Sequence, residues 1–117
     1  MIRVGSIVLR TENIALLRDF WSQALDYVPR HAEPDADFVL LHPRDGVGPN
    51  ISLDEHRSEA LLPPRIHLDL YADDQPAEVE RLTALGATEV HWDRQPPDAD
   101  YVIMQDPEGN RFCVVQA

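Results

Sequence analysis

The sequence predicts an α+β domain built from two tandem βαβββ modules, their eight strands forming a cupped mixed sheet with one helix backing each half. Three observations predict it. The order of extended and helical segments in residues 1–55 recurs in residues 65–117. The recurrence keeps a constant offset of 61 residues, from Ser6 to His67 and from Ser52 to Cys113, with Asp45 to Asp106 and Gly48 to Gly109 in step. Three extended runs follow the first helical segment before another opens the second half, whereas a ferredoxin-like βαββαβ domain needs two strands between its helices. At 117 residues the whole chain, 1–117, reads as one domain. Its parts are module 1 (1–55), a connector (56–64) and module 2 (65–117), and neither module is expected to bury its sheet alone.

Each element has a local reason. Residues 2–10 alternate, with Ile7 and Leu9 on one face and Ser6, Val8 and Arg10 on the other. Asn13 is placed as an N-cap, and Ile14, Leu17, Trp21, Ala24 and Leu25 follow at helical spacing, so the first helix spans 13–25. Extended runs at 27–31, 38–42 and 50–54 are separated by the turn-formers Pro34-Asp35 and Pro43-Arg44-Asp45-Gly46. The second half repeats the order with a strand over 65–71. Asp73-Asp74 precede Gln75-Pro76 as a helix start, Val79, Leu82 and Leu85 form the stripe, and Gly86 sits at C′, giving a helix over 75–85. Extended runs at 87–92, 101–105 and 111–116 complete the module, with prolines 96, 97 and 107 in the turns.

Composition narrows the function classes. Acidic residues outnumber basic ones 21 to 10, for a net charge of −11. Such a surface repels phosphate backbones and anionic lipids, so neither nucleic acid nor a membrane surface is expected as a partner. The apolar runs are far shorter than the roughly 20 residues of a membrane span, and no leader peptide is expected. The one cysteine, Cys113, permits neither an internal disulfide nor a CxxC zinc site, which makes the cytoplasm the expected location. No dinucleotide fingerprint, P-loop or nucleophile elbow occurs, and His31, His42, His56 and His91 lack a metal-binding spacing.

Period-2 alternation divides the outer strands of each half into two faces. One face carries Ile7, Leu9, Ile51, Leu53, Ile66, Leu68, Leu70, Phe112 and Val114, and is expected to take the helices. The other carries Ser6, Val8, Arg10, Asn50, Ser52, Asp54, Arg65, His67, Asp69, Tyr71, Arg111, Cys113 and Val115. Either this second face is solvated, as one side of an antiparallel sheet often is, or it lines a ligand cleft. Small neutral serines and a cysteine beside His67 and Asp69 suit a cleft better.

The chain resembles the vicinal oxygen chelate superfamily, which includes glyoxalase I, extradiol dioxygenases, and fosfomycin- and bleomycin-resistance proteins. The resemblance covers essentially the whole sequence. It is carried by Asp19-Phe20-Trp21, Leu25-Asp26-Tyr27, Arg65-Ile66-His67-Leu68-Asp69-Leu70, Glu80-Arg81-Leu82 with Ala84-Leu85-Gly86-Ala87, and above all Asp106-Pro107-Glu108-Gly109-Asn110-Arg111-Phe112-Cys113. A glyoxalase-like subgroup is the nearest in pattern. Asp26 departs from the glycine usual at its place.

The resemblance implies two βαβββ halves wrapping a cleft, a small-molecule ligand and a homodimer. It also implies metal-ligand places on the first and last strand of each half, which in this sequence are Ser6, Ser52, His67 and Cys113. Metal-dependent members use His, Glu or Gln there. Only His67 matches, Cys113 is a second ligand only as thiolate, and serine hydroxyls bind divalent ions poorly. A divalent metal held by His67 and Cys113 is thus the lesser reading. Asp69 and Asp54 lie two residues along their strands, a displacement of roughly 6–7 Å that predicts they stand out of reach. Metal-dependent glyoxalase or dioxygenase activity is accordingly not expected.

The expected ligand-binding set is Ser6, Ser52, His67, Asp69, Trp92, Tyr101 and Cys113. Asp69 either orients the His67 imidazole for acid/base work or ties two strands together. Trp92 and Tyr101 flank a region that often closes over the cleft in this superfamily, although packing is the commoner role for tryptophan. Trp21 has core spacing, and a lone cysteine is more often a small buried hydrophobe than a reactive thiol. The functional expectation is a domain binding a small molecule without a complete metal site. The alternative is a lyase or isomerase acting on a small oxygenated metabolite through His67.

Overall fold

A computed structural model describes residues 1, 3–31, 37–55 and 67–117. The expected turn at Pro34-Asp35, the connector 56–64, His56, and the strand positions Ile2, Arg65 and Ile66 lie outside these residues. The chain divides into two compact units, Met1–Ala60 and Leu61–Ala117.

The first unit contains β1 (Ser6–Arg10), α1 (Ile14–Leu25), β2 (Tyr27–Pro29), β3 (Phe38–Pro43) and β4 (Asn50–Asp54). Its sheet runs in the order β1-β4-β3-β2, with β4 parallel to β1 and antiparallel to β3. The second unit repeats it with β5 (Leu68–Ala72), α2 (Gln75–Ala84), β6 (Thr88–Glu89), β7 (Tyr101–Gln105) and β8 (Arg111–Gln116), in the order β5-β8-β7-β6. Two helices and two four-stranded mixed sheets are the tandem βαβββ arrangement, and the βαββαβ alternative is excluded.

The repeat extends to the strand register. Ile7, Val8 and Leu9 pair with Ile51, Ser52 and Leu53, while Leu68, Asp69 and Leu70 pair with Phe112, Cys113 and Val114. Each pair in the second unit is its counterpart in the first moved by the same offset.

Helix α1 starts where the Asn13 side chain accepts the Leu16 N–H at 3.2 Å. Leu17, Phe20, Trp21 and Ala24 are buried on one stripe, and the Phe20 and Trp21 rings meet edge to face at 5.0 Å. The helix ends at Asp26, whose φ of 54° is left-handed and explains why glycine is usual there. The aspartate is held by Arg44, whose Nε lies 2.9 Å from its Oδ1. Helix α2 is capped likewise by Asp74, which accepts the Ala77 N–H at 3.1 Å.

The helix-facing side of the sheets is as expected at Ile51, Leu53, Phe112 and Val114, all buried. Ile7, Leu9, Leu68 and Leu70 are only half-buried, because β1 and β5 are edge strands. Full burial of such side chains is worth about 1.5–3 kcal/mol each, so the inner strands carry most of the packing energy. Two extended runs are shorter than expected. The run over 87–92 is a strand only at Thr88–Glu89, followed by the Val90 N–H bond to Ile103 O. The chain then turns, with Gln95 N–H donating to Trp92 O, and Pro96 and Pro97 supply no N–H to continue a ladder. The run over 27–31 is a strand only to Pro29.

Candidate functional site

Directly paired residues share a face of a sheet, so the register places the polar side chains. In the second unit Asp69, Cys113 and Ile103 form one row across β5, β8 and β7, and Tyr71, Val115 and Tyr101 form the next. His67 stands just before β5. Its Nε2 lies 3.1 Å from Asp69 Oδ1, and both side chains are about half exposed. The Cys113 thiol stands beside the same carboxylate, its sulfur within 4.8 Å of a carboxylate oxygen. Burial, then the Asp69 charge, then hydrogen bonding to Asp69 push the thiol pKa up.

One ligand atom from each of His67, Asp69 and Cys113 lies within 4.8 Å of the other two, the only such convergence of His, Cys, Asp and Glu among the described residues. This corrects the expectation that Asp69 stands out of reach. The displacement along the strand is real, but Asp69 is the direct partner of Cys113 in the parallel ladder, and the His67 ring reaches back to join it. Asp69 is therefore the centre of the group, hydrogen-bonded to His67 and paired with Cys113 in the ladder.

The corresponding places of the first unit hold Ser6, Val8 and Ser52. Val8 is the register partner of Ser52, and the Ser6 and Ser52 hydroxyls hydrogen-bond to each other at 2.5 Å. Ser52 is buried and Ser6 is exposed. Two hydroxyls and a valine offer little to a cation, so the metal-capable chemistry of the duplicated positions is concentrated in the second unit.

Trp92 is half-exposed and Tyr101 half-buried. A shallow groove of about 280 Å³ runs beside β6 and β7, lined by Glu89, Val90, His91, Gln95, Val102 and Ile103. Neither aromatic lines it, and neither do His67, Asp69 or Cys113. Ile103 belongs to the groove and also neighbours Cys113 in the ladder. It was not singled out from the sequence, although splitting β7 by alternation and pairing it with β8 would have found it. The Asp106–Asn110 motif is structural. The buried Asp106 carboxylate accepts the Glu108 and Asn110 N–H groups at 2.9 Å and the Asn110 side-chain amide at 2.7 Å, shaping the turn into β8.

Among curated proteins none matches this chain. Solved structures do. A glyoxalase/bleomycin resistance protein/dioxygenase family enzyme from Burkholderia phytofirmans PsJN is 16% identical with a TM-score of 0.73, covering 96% of each chain. TnmS3, an antibiotic binding protein from Streptomyces sp. CB03234, is 19% identical with a TM-score of 0.69, covering 99% of this chain and 96% of its own. A possible glyoxalase from Bacillus cereus is 16% identical with a TM-score of 0.69, covering 98% and 99%. At these identities the likeness shows the shared fold. The glyoxalase-like domain family matches residues 6–115, nearly the full length. The chain belongs to the glyoxalase-like domain family, within the vicinal oxygen chelate superfamily.

Proposed function

We propose that this domain binds a small organic molecule on the sheet face that carries His67, Asp69 and Cys113. The observation that carries this reading is the composition of that face: a converged polar trio beside Tyr71, Val115, Tyr101 and Ile103. Ligand sites combine mostly apolar and aromatic lining with a few placed polar groups. Tyr71 is 76% exposed, so its ring is available to a ligand on this face. The antibiotic-binding protein with this fold supports the reading, and the acidic net charge favours a cationic ligand. A cytoplasmic homodimer is part of the proposal. Turnover of the methylglyoxal–glutathione adduct is not, because two of the four ligand places are serines bonded to each other.

One observation favours a second reading as a lyase or isomerase. With Nε2–H donated to Asp69, the lone pair of His67 sits on Nδ1, the arrangement of an oriented general base. The test is a thermal-shift screen of metabolites and antibiotics against the native protein and His67→Ala. The reading expects a stabilising compound whose effect falls at least tenfold in apparent affinity in the variant. Compounds that stabilise both proteins equally would move the site elsewhere. Consumption of the compound by the native protein alone would select the enzymatic reading.

A further inference from the structure

We propose that Tyr71 and Tyr101 are the two walls of an aromatic clamp for a quaternary ammonium group, so that the molecule taken by this face is a methylated organic cation. The inference rests on the small-molecule reading above and adds the chemical class of the ligand.

The strand register builds the clamp. Tyr71 on β5 and Tyr101 on β7 are both direct partners of Val115 on β8, so the three side chains stand in one row on one face. Neighbouring strands lie about 4.7–4.9 Å apart, which sets the two tyrosines roughly 9.5 Å from each other. Strand side chains stand roughly perpendicular to their sheet, so the rings wall a slot and the short, branched Val115 is its floor. Tyr71 is exposed, and Val115 and Tyr101 are only half-buried. The first unit has no such slot: its row of Arg10, Asp54 and Phe38 puts an arginine where Tyr71 stands.

The width of the slot selects the ligand. A cation is held within about 6 Å of an aromatic ring centroid, and a group centred here is about 5 Å from each wall. A flat ring sandwiched between two others needs them only about 7–8 Å apart, two carbon contact distances, and fills this slot poorly. The charge is selected as well. Asp69 is two residues before Tyr71 on the same face, roughly 6–7 Å along the strand, and the chain carries a net charge of −11. The row itself offers no carboxylate, and Asp69 is already hydrogen-bonded to His67 at 3.1 Å. A primary ammonium needs acceptors for three N–H groups, whereas a quaternary ammonium has none to satisfy and is held by ring faces and nearby charge.

The test titrates choline and tetramethylammonium into the native protein by NMR at low ionic strength. The matched control is the uncharged carbon analogue of choline, in which a tert-butyl group replaces the trimethylammonium. The expected result is saturable binding of both cations at one site per chain, and at least tenfold weaker binding of the neutral analogue. Tyr71→Leu, at an exposed position, lowers choline affinity at least fivefold, while Tyr71→Phe keeps the ring face and holds it within twofold. Circular dichroism confirms the fold of each variant. No saturable choline binding, equal binding of the neutral analogue, or native affinity in Tyr71→Leu overturns the proposal. The small-molecule reading is tested at His67 instead, so a screened compound whose binding falls in His67→Ala, together with no choline binding, would remove the clamp and keep that reading.

Discussion

The Ser6–Ser52 hydrogen bond makes an unequal prediction for two chemically identical substitutions. Ser52 is 3% exposed and among the described residues its hydroxyl bonds only to Ser6, whereas Ser6 faces solvent. Removing the exposed partner, Ser6→Ala, strands a buried hydroxyl, and a buried unsatisfied polar group costs about 1–3 kcal/mol. Removing the buried partner, Ser52→Ala, deletes that hydroxyl and leaves Ser6 to water, so only the net hydrogen bond is lost, about 0.5–1.5 kcal/mol. The double variant contains no stranded group and should cost no more than Ser6→Ala alone. Equilibrium urea unfolding of the four proteins measures the cycle. A larger loss for Ser52→Ala than for Ser6→Ala, or additive costs in the double variant, would refute the reasoning, because either result means the hydroxyls are not each other's essential partner.

Three further outcomes follow from the geometry. Asp26 has a left-handed backbone, so Asp26→Val should be less stable than Asp26→Gly by about 1–2 kcal/mol in urea unfolding. Equal losses would assign the effect to the exposed Arg44 pair instead. Asp69→Asn removes the negative charge that helps keep Cys113 protonated, so iodoacetamide should alkylate the variant faster than the native protein at mildly alkaline pH. An unchanged rate would leave burial as the whole cause. Tyr27 and Cys113 both have raised pKa values in the fold, Tyr27 by burial and then the nearby Asp45 charge. Their contribution is fully present below the ordinary thiol and phenol values of 9.0 and 10.0 and is lost as pH rises through the folded values. Urea midpoints should therefore decline on the alkaline side, and less steeply in Tyr27→Phe with Cys113→Ser.

The duplication was legible because it is written in short-range signals. Asn13 and Asp74 cap both helices, period-2 alternation names the faces, and one offset aligns Ser6 with His67 and Ser52 with Cys113. The composition of the site was legible for the same reason, since His67, Asp69 and Cys113 fall on one face by alternation. Their convergence was not. Alternation gives a face but not the register between strands, and Asp69 looks displaced until β5 and β8 are set side by side. The side-chain direction of His67, just outside its strand, is likewise set by a partner rather than by neighbours in sequence. The overestimated run at 87–92 has a related cause: its apolar residues read as strand, but the chain turns at Trp92–Gln95 ahead of two prolines. Gln75 was invisible as well. Its amide donates to Asp100 O and Val114 O, tying the start of α2 to β8 and the approach to β7, a role that no local pattern announces.

The most direct measurement of the central claim is an amide NMR titration of the protein with a compound that stabilises it in the thermal-shift screen. The account predicts saturable shift changes concentrated at Asp69, Tyr71, Ile103 and Cys113, and their loss in His67→Ala. Changes confined to the exposed surface of α2, or changes at the sheet that persist undiminished in His67→Ala, would contradict it.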